Sequence, residues 1–182
     1  SFDLGDDAIK GFYRDMVLTR RIDTEATALQ RHGELGIWAQ LLGQEAAQIG
    51  SGRALRKQDF VFPTYREHGV AWCRDIDPLR LLGLFRGVDQ GGWDPRDGNF
   101  GLYTIVIGAQ TLHATGYAMG MQRDGVVGTG DPDRDAAVIA PALIIGLRGR
   151  PVTGSRLISL NGSPDGSTSI FARTASRPHS ES

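Results

Sequence analysis

The side chains with the clearest capacity for chemistry lie in the run Tyr65-Arg66-Glu67-His68-Gly69. This run places a phenol, a guanidinium and an imidazole close together where an extended segment is predicted to meet a helix. A guanidinium forms paired hydrogen bonds with phosphate oxygens, and a helix N-terminus favours anions, so the run could hold a phosphate ester. From the chemistry alone, an ordinary polar helix start is the simpler interpretation.

The motifs of several other functional classes are incomplete. Asp131, Asp133 and Asp135 have the first spacings of a calcium loop, but Ala stands where the loop requires Gly at its sixth position and Glu at its twelfth. Neither a G-x-S-x-G nor a G-x-G-x-x-G pattern occurs. The single Cys73 excludes an internal disulfide and a cysteine-based zinc site. Calcium-loop, hydrolase and dinucleotide-binding functions are therefore unsupported.

The balanced charge of the chain argues against a polyanion-binding function. Its 182 residues include 20 Lys plus Arg and 21 Asp plus Glu, a formal net charge of -1, so no broad positive field would attract nucleic acid. The uncharged run at residues 136–147 is shorter than the roughly 18 residues that a membrane span needs. The start of the chain shows no basic segment followed by an apolar one, so no signal peptide is expected. These features predict a cytoplasmic protein that binds neither nucleic acid nor membranes.

Apolar residues at helical spacing predict four main helices. The first covers residues 6–29 and has acidic residues at its start, where they suit the helix dipole. The others are predicted over residues 44–55, 78–85 and 109–122. Asp77 and Pro78 suit the cap and the first turn of the helix at residues 78–85. In the last helix, Gly108, Leu112, Gly116 and Gly120 recur every four residues, so one face would let a neighbouring helix approach closely.

Three apolar runs predict strands, and they lie at residues 60–62, 103–107 and 136–140. Between the first two, residues 87–101 contain five Gly and a Pro and are predicted to form an irregular loop. Residues 141–182 carry five Arg against two acidic residues and end in a Ser-rich segment with few large apolar groups. That composition predicts a disordered tail.

Four blocks of the sequence together resemble a known enzyme family. They are YRDMVLTRRID at residues 13–23, GQEAAQIG at 43–50, DFVFPTYREHG at 59–69 and YTIVIGAQTLHATGYAMG at 103–120. In order and spacing they are similar to the alpha subunit of the thiamine-diphosphate-dependent decarboxylating component of 2-oxo acid dehydrogenase complexes, of the branched-chain or pyruvate type. Residues 1–140 would form the N-terminal part of the cofactor-binding dehydrogenase domain.

The family resemblance implies an α/β fold, here incomplete, with a parallel sheet and flanking helices. It also implies assembly with a beta subunit as a heterotetramer, with the cofactor between the two kinds of chain and a lipoyl-bearing acyltransferase as the next component. In this family the carboxylate that activates the cofactor comes from the beta chain. No catalytic residue is therefore expected in residues 1–140.

The same resemblance implies cofactor-binding roles for individual residues. Tyr65 and Arg66 would hold the diphosphate of thiamine diphosphate, which suits phenol and guanidinium donors. The backbone of Ile105 and Ile107 would contact the aminopyrimidine ring. Gln110 would lie at the edge of the same site.

The implied reaction is oxidative decarboxylation of a 2-oxo acid, with acyl transfer to lipoyl-lysine. Pyruvate-type relatives carry a His where this chain has Ala39, and the apolar neighbourhood of Trp38 and Leu41 favours a branched-chain substrate. Pyruvate is the alternative substrate. A further alternative is a truncated, non-catalytic remnant that acts only in subunit association.

The Mg²⁺ ligands of the family are missing from the expected place. The family supplies them from a Gly-Asp-Gly motif and a later Asn, but this chain has no Gly-Asp-Gly, and Asn161 stands in an unrelated context. No metal ligand is therefore assigned, although the family uses Mg²⁺ with thiamine diphosphate. Because this loss and the change in composition coincide, residues 141–182 are interpreted as an out-of-frame or unrelated extension. The alternative is a divergent, folded C-terminal region.

Overall fold

The computed structural model describes residues 4–89, 92–125, 138–139, 158–162 and 168–172. Its helices are α1 (Asp6–Arg31), α2 (Glu45–Arg53), α3 (His68–Cys73), α4 (Pro78–Arg86), α5 (Pro95–Gly98) and α6 (Ala109–Arg123). Its strands are β1 (Phe60–Val61), β2 (Val138–Ile139), β3 (Ile158–Gly162) and β4 (Thr168–Ala172). The described part is mostly helical, and the strands are short.

The first helix has the boundaries that its sequence indicates. Acidic residues lie in its first turn and Arg31 in its last, where these charges compensate the helix dipole. It is followed by Gly33, whose φ of +79° is a left-handed conformation that glycine adopts without strain. The helix predicted over residues 6–29 is confirmed and ends two residues later. None of the helices in the described ranges combines the length and the hydropathy needed to cross a bilayer.

The other predicted helices are also confirmed. Residues 44–55 correspond to α2, residues 78–85 to α4 and residues 109–122 to α6. In α4, the predicted cap is present, because the Asp77 carboxylate accepts a hydrogen bond from the Leu79 N–H at 2.9 Å. Pro78 occupies the first turn, where its missing N–H costs no hydrogen bond.

Two apolar clusters of the core lie beside α3. The larger packs β1 and α3 against the segment that follows α4, through Val61, Val70, Ala71, Ile76, Leu81, Trp93 and Phe100. The Trp93 indole N–H donates to the Phe100 carbonyl at 2.9 Å, so its polar edge is satisfied inside the cluster. The second cluster packs α1 against α4 and against the loop that follows α1, through Ala26, Leu35, Trp38 and Phe85.

The sheet differs from the parallel sheet that the resemblance implied. In the order β1-β2-β3-β4, only β1 and β2 pair in parallel, whereas β2 with β3 and β3 with β4 pair antiparallel. Parallel neighbours need a long crossover connection, and only residues 163–167 separate β3 from β4, so those two strands pair antiparallel. A parallel α/β fold is therefore not confirmed in the described part.

Two local predictions are wrong. Residues 103–107 form no strand, because the side chains of Ile105, Val106 and Ile107 are exposed and no segment among the described residues pairs with them. Residues 87–101, predicted to be irregular throughout, contain the short helix α5. The Asp94 carboxylate caps that helix by accepting the Arg96 N–H at 2.9 Å, and Asn99 ends it with a φ of +50°.

The tail predicted over residues 141–182 includes two described strands. β3 and β4 pair over five residues each, so these segments depart from the predicted disorder. Antiparallel pairing satisfies backbone donors and acceptors without a large apolar core. The rest of this region, and the predicted boundary at residue 140, lie outside the described residues. The strand predicted at residues 136–140 is present at Val138–Ile139.

Gly52 lets α2 and α3 approach closely, which gives a test of this packing. A Cβ at Gly52 would lie 2.7 Å from the Cβ of Cys73 and 2.9 Å from its Sγ. Gly52→Ala is expected to lower the free energy of unfolding by about 1–3 kcal/mol, the usual cost of overpacking. Urea unfolding followed by circular dichroism measures the change.

Gly50 provides the matched control in the same helix. A Cβ there would meet no atom within 4 Å, so Gly50→Ala is expected to stabilise the protein by about 0.5–1 kcal/mol through helix propensity. Equal effects of the two substitutions would contradict the close packing of α2 on α3.

Candidate functional site

The turn that carries Tyr65 and Arg66 connects β1 to α3 and is closed by the carboxyl group of Glu67. Its Oε2 accepts a hydrogen bond from Thr64 Oγ1, and the Arg66 N–H reaches the same oxygen at 3.4 Å. Glu67 is buried, whereas Tyr65 and Arg66 are half-buried. The turn therefore buries its acidic side chain and leaves the phenol and the guanidinium accessible.

Gln48 of α2 holds this turn against the helices. Its Nε2 donates to the Arg66 carbonyl at 3.0 Å, and its Oε1 accepts the Gly69 N–H at 2.8 Å. A Cβ on Gly69 would lie 3.0 Å from the Gln48 Cβ and 3.3 Å from the Thr19 Cγ2. A side chain at position 69 would therefore be tightly packed where α1, α2 and α3 meet, and one amide side chain bonds the main chain on both sides of Glu67.

Arg66 lines a cleft of about 590 Å³, called here the Arg66 cleft. Its other lining residues are Gln30, Trp38, Ala39, Gln40 and Leu42. The guanidinium carbon of Arg66 lies 5.8 Å from the centre of the Tyr65 ring. The two side chains that the sequence assigns to one anion are therefore neighbours.

Arg66 has no carboxylate partner among residues 4–89 and 92–125. Other arginines of this part are ion-paired; for example, the Arg53 guanidinium lies 2.5 Å from Asp15 Oδ2. A half-buried guanidinium without a carboxylate partner keeps its capacity to bind an external anion. The cleft therefore presents a positive charge to a ligand.

The other predicted cofactor-binding residues lie elsewhere. Ile105 and Ile107 are 71% and 75% exposed, and neither is among the lining residues of the Arg66 cleft. Gln110, in the first turn of α6, is buried, and its Oε1 has no hydrogen-bond partner in the described part of the chain. The structure thus brings Tyr65 and Arg66 together, while the roles of Ile105, Ile107 and Gln110 stay predictions.

His68 joins the wall of the cleft to the core. Its Nε2 lies 2.9 Å from the Ala39 carbonyl oxygen, which only accepts, so Nε2 carries the proton. Nδ1 then accepts from the Tyr103 hydroxyl at 2.7 Å, and the ring stacks on Trp38 with 4.2 Å between centroids. Burial, with a smaller contribution from the charge of Arg66, lowers the pKa of His68 to about 4. The ring is therefore neutral near pH 7.

Glu67 is the second buried titratable group of the turn. Burial raises the pKa of its carboxyl group, although the hydrogen bonds from Thr64 and Arg66 oppose this shift. Its Oε1 has no hydrogen-bond partner among the described residues. Glu67 therefore binds a proton more readily than an exposed glutamate does.

No sequence motif predicted a positioning role for Gln48, Glu67 or His68. All three lie inside the blocks at residues 43–50 and 59–69 that carry the resemblance. Membership of those blocks was the only available signal, because neither residue type nor spacing shows which buried side chain will bond a distant turn.

Comparisons with known proteins agree on one family. The family model described as Dehydrogenase E1 component matches residues 13–135. The alpha subunit of 3-methyl-2-oxobutanoate dehydrogenase from Mycobacterium tuberculosis (strain CDC 1551 / Oshkosh) is 44% identical over 121 residues, which cover 66% of this chain and 33% of that protein. The alpha subunit of the pyruvate dehydrogenase E1 component from Bacillus subtilis (strain 168) is 41% identical over 130 residues, which cover 68% and 33%.

These comparisons confirm the resemblance inferred from the four sequence blocks. The matched residues 13–135 include most of α1, all of α2 to α6 and every lining residue of the Arg66 cleft. The chain spans about a third of the length of the curated relatives it matches.

The buried, neutral state of His68 predicts a specific pH dependence. Below pH 6.5 the unfolded side chain binds a proton, whereas the folded ring stays neutral down to about pH 4, so stability falls as the pH falls through this window. Over that range, the free energy of unfolding is expected to fall by roughly 3 kcal/mol more in the wild type than in His68→Gln, at about 1.36 kcal/mol per pKa unit. Urea unfolding at several pH values measures both proteins.

Glu67 titrates in both proteins, so its opposite contribution cancels in the comparison. Parallel pH profiles for wild type and His68→Gln would contradict a neutral, buried His68.

Proposed function

Since the chain belongs to the dehydrogenase E1 component family, we propose that it acts in the oxidative decarboxylation of a 2-oxo acid as part of an alpha subunit. In this proposal the acyl group passes to lipoyl-lysine of an acyltransferase. The observation that carries the proposal is the half-buried Arg66 guanidinium, which lines the cleft, has no carboxylate partner in the described part of the chain and lies within the residues that match the family. The Tyr65 ring is its neighbour but does not itself line the cleft.

The cofactor proposed for the cleft is thiamine diphosphate, bound through its diphosphate group. Arg66 fits such a group because it has no carboxylate partner in the described part of the chain, and Tyr65 adds a hydroxyl donor beside it. When bound, this cofactor supplies the electron sink that allows a 2-oxo acid to lose carbon dioxide.

The chain's own contribution is to bind and orient the diphosphate. Guanidinium N–H groups of Arg66 would donate to its oxygens, and the Tyr65 hydroxyl would be a further donor. Gln48 keeps the turn fixed, because its amide already bonds the Arg66 carbonyl and the Gly69 N–H. A site that is ordered before binding loses less conformational entropy when the ligand arrives.

The residues described here do not supply the Mg²⁺ ligands that the family uses. Within the described ranges, no group of three His, Cys, Asp or Glu side chains is placed to hold a metal ion. The sequence also contains no Gly-Asp-Gly. No step of the proposal therefore depends on a metal ion.

A branched-chain 2-oxo acid is the proposed substrate. Trp38, Leu42 and the small Ala39 are among the lining residues of the cleft. Leu41, which the sequence assigned to this surface, is buried and does not line it. An apolar wall stabilises a branched aliphatic chain more than a methyl group, because more apolar area is buried. Pyruvate is the alternative substrate, since relatives of both types match the chain.

A beta subunit is the proposed partner, in a heterotetramer that transfers the acyl group to a lipoyl-bearing acyltransferase. On α6, Leu112 is 74% exposed, and a Cβ on Gly116 or Gly120 would meet no atom within 4 Å. A helix of another subunit could approach this bare face closely.

A non-catalytic role in subunit association is a second candidate, favoured by the missing Gly-Asp-Gly sequence. The two candidates differ in whether the chain, with its beta subunit, binds thiamine diphosphate in the presence of Mg²⁺. Saturable binding at micromolar cofactor would contradict the non-catalytic role, and its absence would contradict the cofactor-binding one.

The cofactor proposal predicts the effect of removing the guanidinium. In the complete alpha subunit assembled with its beta subunit, Arg66→Ala is expected to weaken thiamine diphosphate binding by about 1.5–3 kcal/mol, the range for a hydrogen bond to a charged group. This corresponds to roughly a 10-fold to 150-fold rise in Kd. Titration calorimetry measures it.

Arg14→Ala is the matched control, because Arg14 is exposed on α1 and does not line the Arg66 cleft. Its Kd is expected to change by less than about two-fold, as for other surface charges. An unchanged Kd in Arg66→Ala would remove Arg66 from the site, and equal losses in both variants would indicate a general charge effect.

The substrate proposal predicts a preference in steady-state kinetics. The same assembly is expected to show a kcat/KM for 3-methyl-2-oxobutanoate at least about ten-fold above that for pyruvate, since one methylene in an apolar pocket contributes roughly 10-fold or more. Measurement of both substrates with one enzyme preparation gives the ratio. A ratio below one would support the pyruvate alternative.

A further inference from the structure

We propose that Asp23 is a positioning residue of the Arg66 cleft, a role that rests on the proposed function of the cleft in binding a diphosphate. Asp23 lies on α1 and is 3% exposed. Its Oδ1 accepts the Trp38 indole N–H at 2.8 Å and the Leu41 main-chain N–H at 3.0 Å. One carboxyl oxygen therefore holds two residues of the loop at residues 38–42.

That loop supplies most of the cleft surface beside Arg66. Trp38, Ala39, Gln40 and Leu42 line the cleft. Asp23 does not line it, so any influence of Asp23 on a ligand must act through the position of this loop.

The other hydrogen bonds of the loop in the described part of the chain use other groups, so they provide no acceptor for the Trp38 indole N–H or the Leu41 main-chain N–H. One of them joins the Gln44 N–H to the Leu41 carbonyl at 2.8 Å. Gln40 Nε2 donates to Thr27 Oγ1 at 3.1 Å, and the Ala39 carbonyl accepts from His68 Nε2. Without the Asp23 carboxyl group, the N–H groups of Trp38 and Leu41 would be buried without their acceptor, so the loop would have to rearrange to satisfy them.

A rearranged loop would reach Arg66 through the stacked rings. The Trp38 ring stacks on the His68 ring with 4.2 Å between centroids. The main-chain N–H of His68 donates to the Arg66 carbonyl at 2.8 Å. A shift of the Trp38 ring therefore changes both the cleft wall and the packing of the turn that carries the guanidinium. Asp23 thus sets the distance between the cation and the wall that faces the ligand.

The test compares substitutions of two buried carboxylates on the same helix. Asp23→Leu removes the acceptor, Asp23→Asn keeps an acceptor oxygen, and Asp15→Leu removes a carboxylate that bonds Arg53 instead of the loop. In the ¹⁵N-labelled chain, hydrogen exchange of the Trp38 indole N–H reports the bond, and the Arg66 Nε–Hε signal reports the cleft. Titration with inorganic pyrophosphate at millimolar concentration gives an apparent Kd.

Asp23→Leu is expected to lose protection of the Trp38 indole N–H, to shift the Arg66 signal and to bind pyrophosphate at least about ten-fold more weakly. Asp23→Asn and Asp15→Leu are expected to keep that protection and to stay within about three-fold of the wild-type Kd. Retained protection, an unshifted Arg66 signal or an unchanged Kd in Asp23→Leu would overturn the positioning role. An equal loss in Asp15→Leu would overturn it too.

Two further outcomes are decided separately. If Asp23→Leu does not fold, Trp38→Phe removes the indole donor while keeping a stacked ring, and an unshifted Arg66 signal in that variant would overturn the proposal. If the wild type binds no pyrophosphate, the proposed diphosphate site fails, whereas the positioning role is still decided by the Trp38 exchange and the Arg66 shift.

Discussion

The pair of hydrogen bonds made by the Gln48 amide is the interaction on which the candidate site depends. It ties α2 to the Arg66 carbonyl and to the Gly69 N–H, one on each side of Glu67. The amide is buried, so loss of its Oε1 would leave the Gly69 N–H without this acceptor at a cost of about 1–3 kcal/mol. The Arg66 carbonyl would keep its bond from the His68 main-chain N–H. The bonds require close approach of the helices, which Gly69 provides because a Cβ there would contact Gln48 itself at 3.0 Å.

Two arginines near this turn show how surroundings separate structural from functional cations. Arg74 is buried, and its guanidinium donates to four main-chain carbonyls, those of Gly98, Arg56, Lys57 and Asp59. These hydrogen bonds hold the segment that leads into β1 and the end of α5 in place. Arg66 follows β1, is half-buried and bonds no carboxylate in the described part of the chain. The first arginine therefore maintains the fold, and the second retains its donors for a ligand.

The sequence predicted those features that are determined locally. The helix over residues 6–29 and the Asp77 cap of α4 follow from periodicity and from short-range hydrogen bonds, and both are present. The adjacency of Tyr65 and Arg66 follows from their consecutive positions. Gln48 and His68 could not be predicted as positioning residues, because their partners lie 18 to 35 positions away in the chain. No pattern within a single segment indicates such contacts.

The wrong strand at residues 103–107 and the separation of the predicted cofactor contacts have one physical cause. A β-branched run forms a strand only where a neighbour supplies hydrogen bonds and burial, and Ile105 and Ile107 have neither in the described part of the chain. Tyr65 and Arg66, by contrast, are positioned by helices that lie within residues 13–135. The diphosphate end of the proposed site is thus ordered by contacts inside this segment. The end assigned to the aminopyrimidine ring needs a surface that the described residues do not provide, and the chain covers only about a third of its relatives.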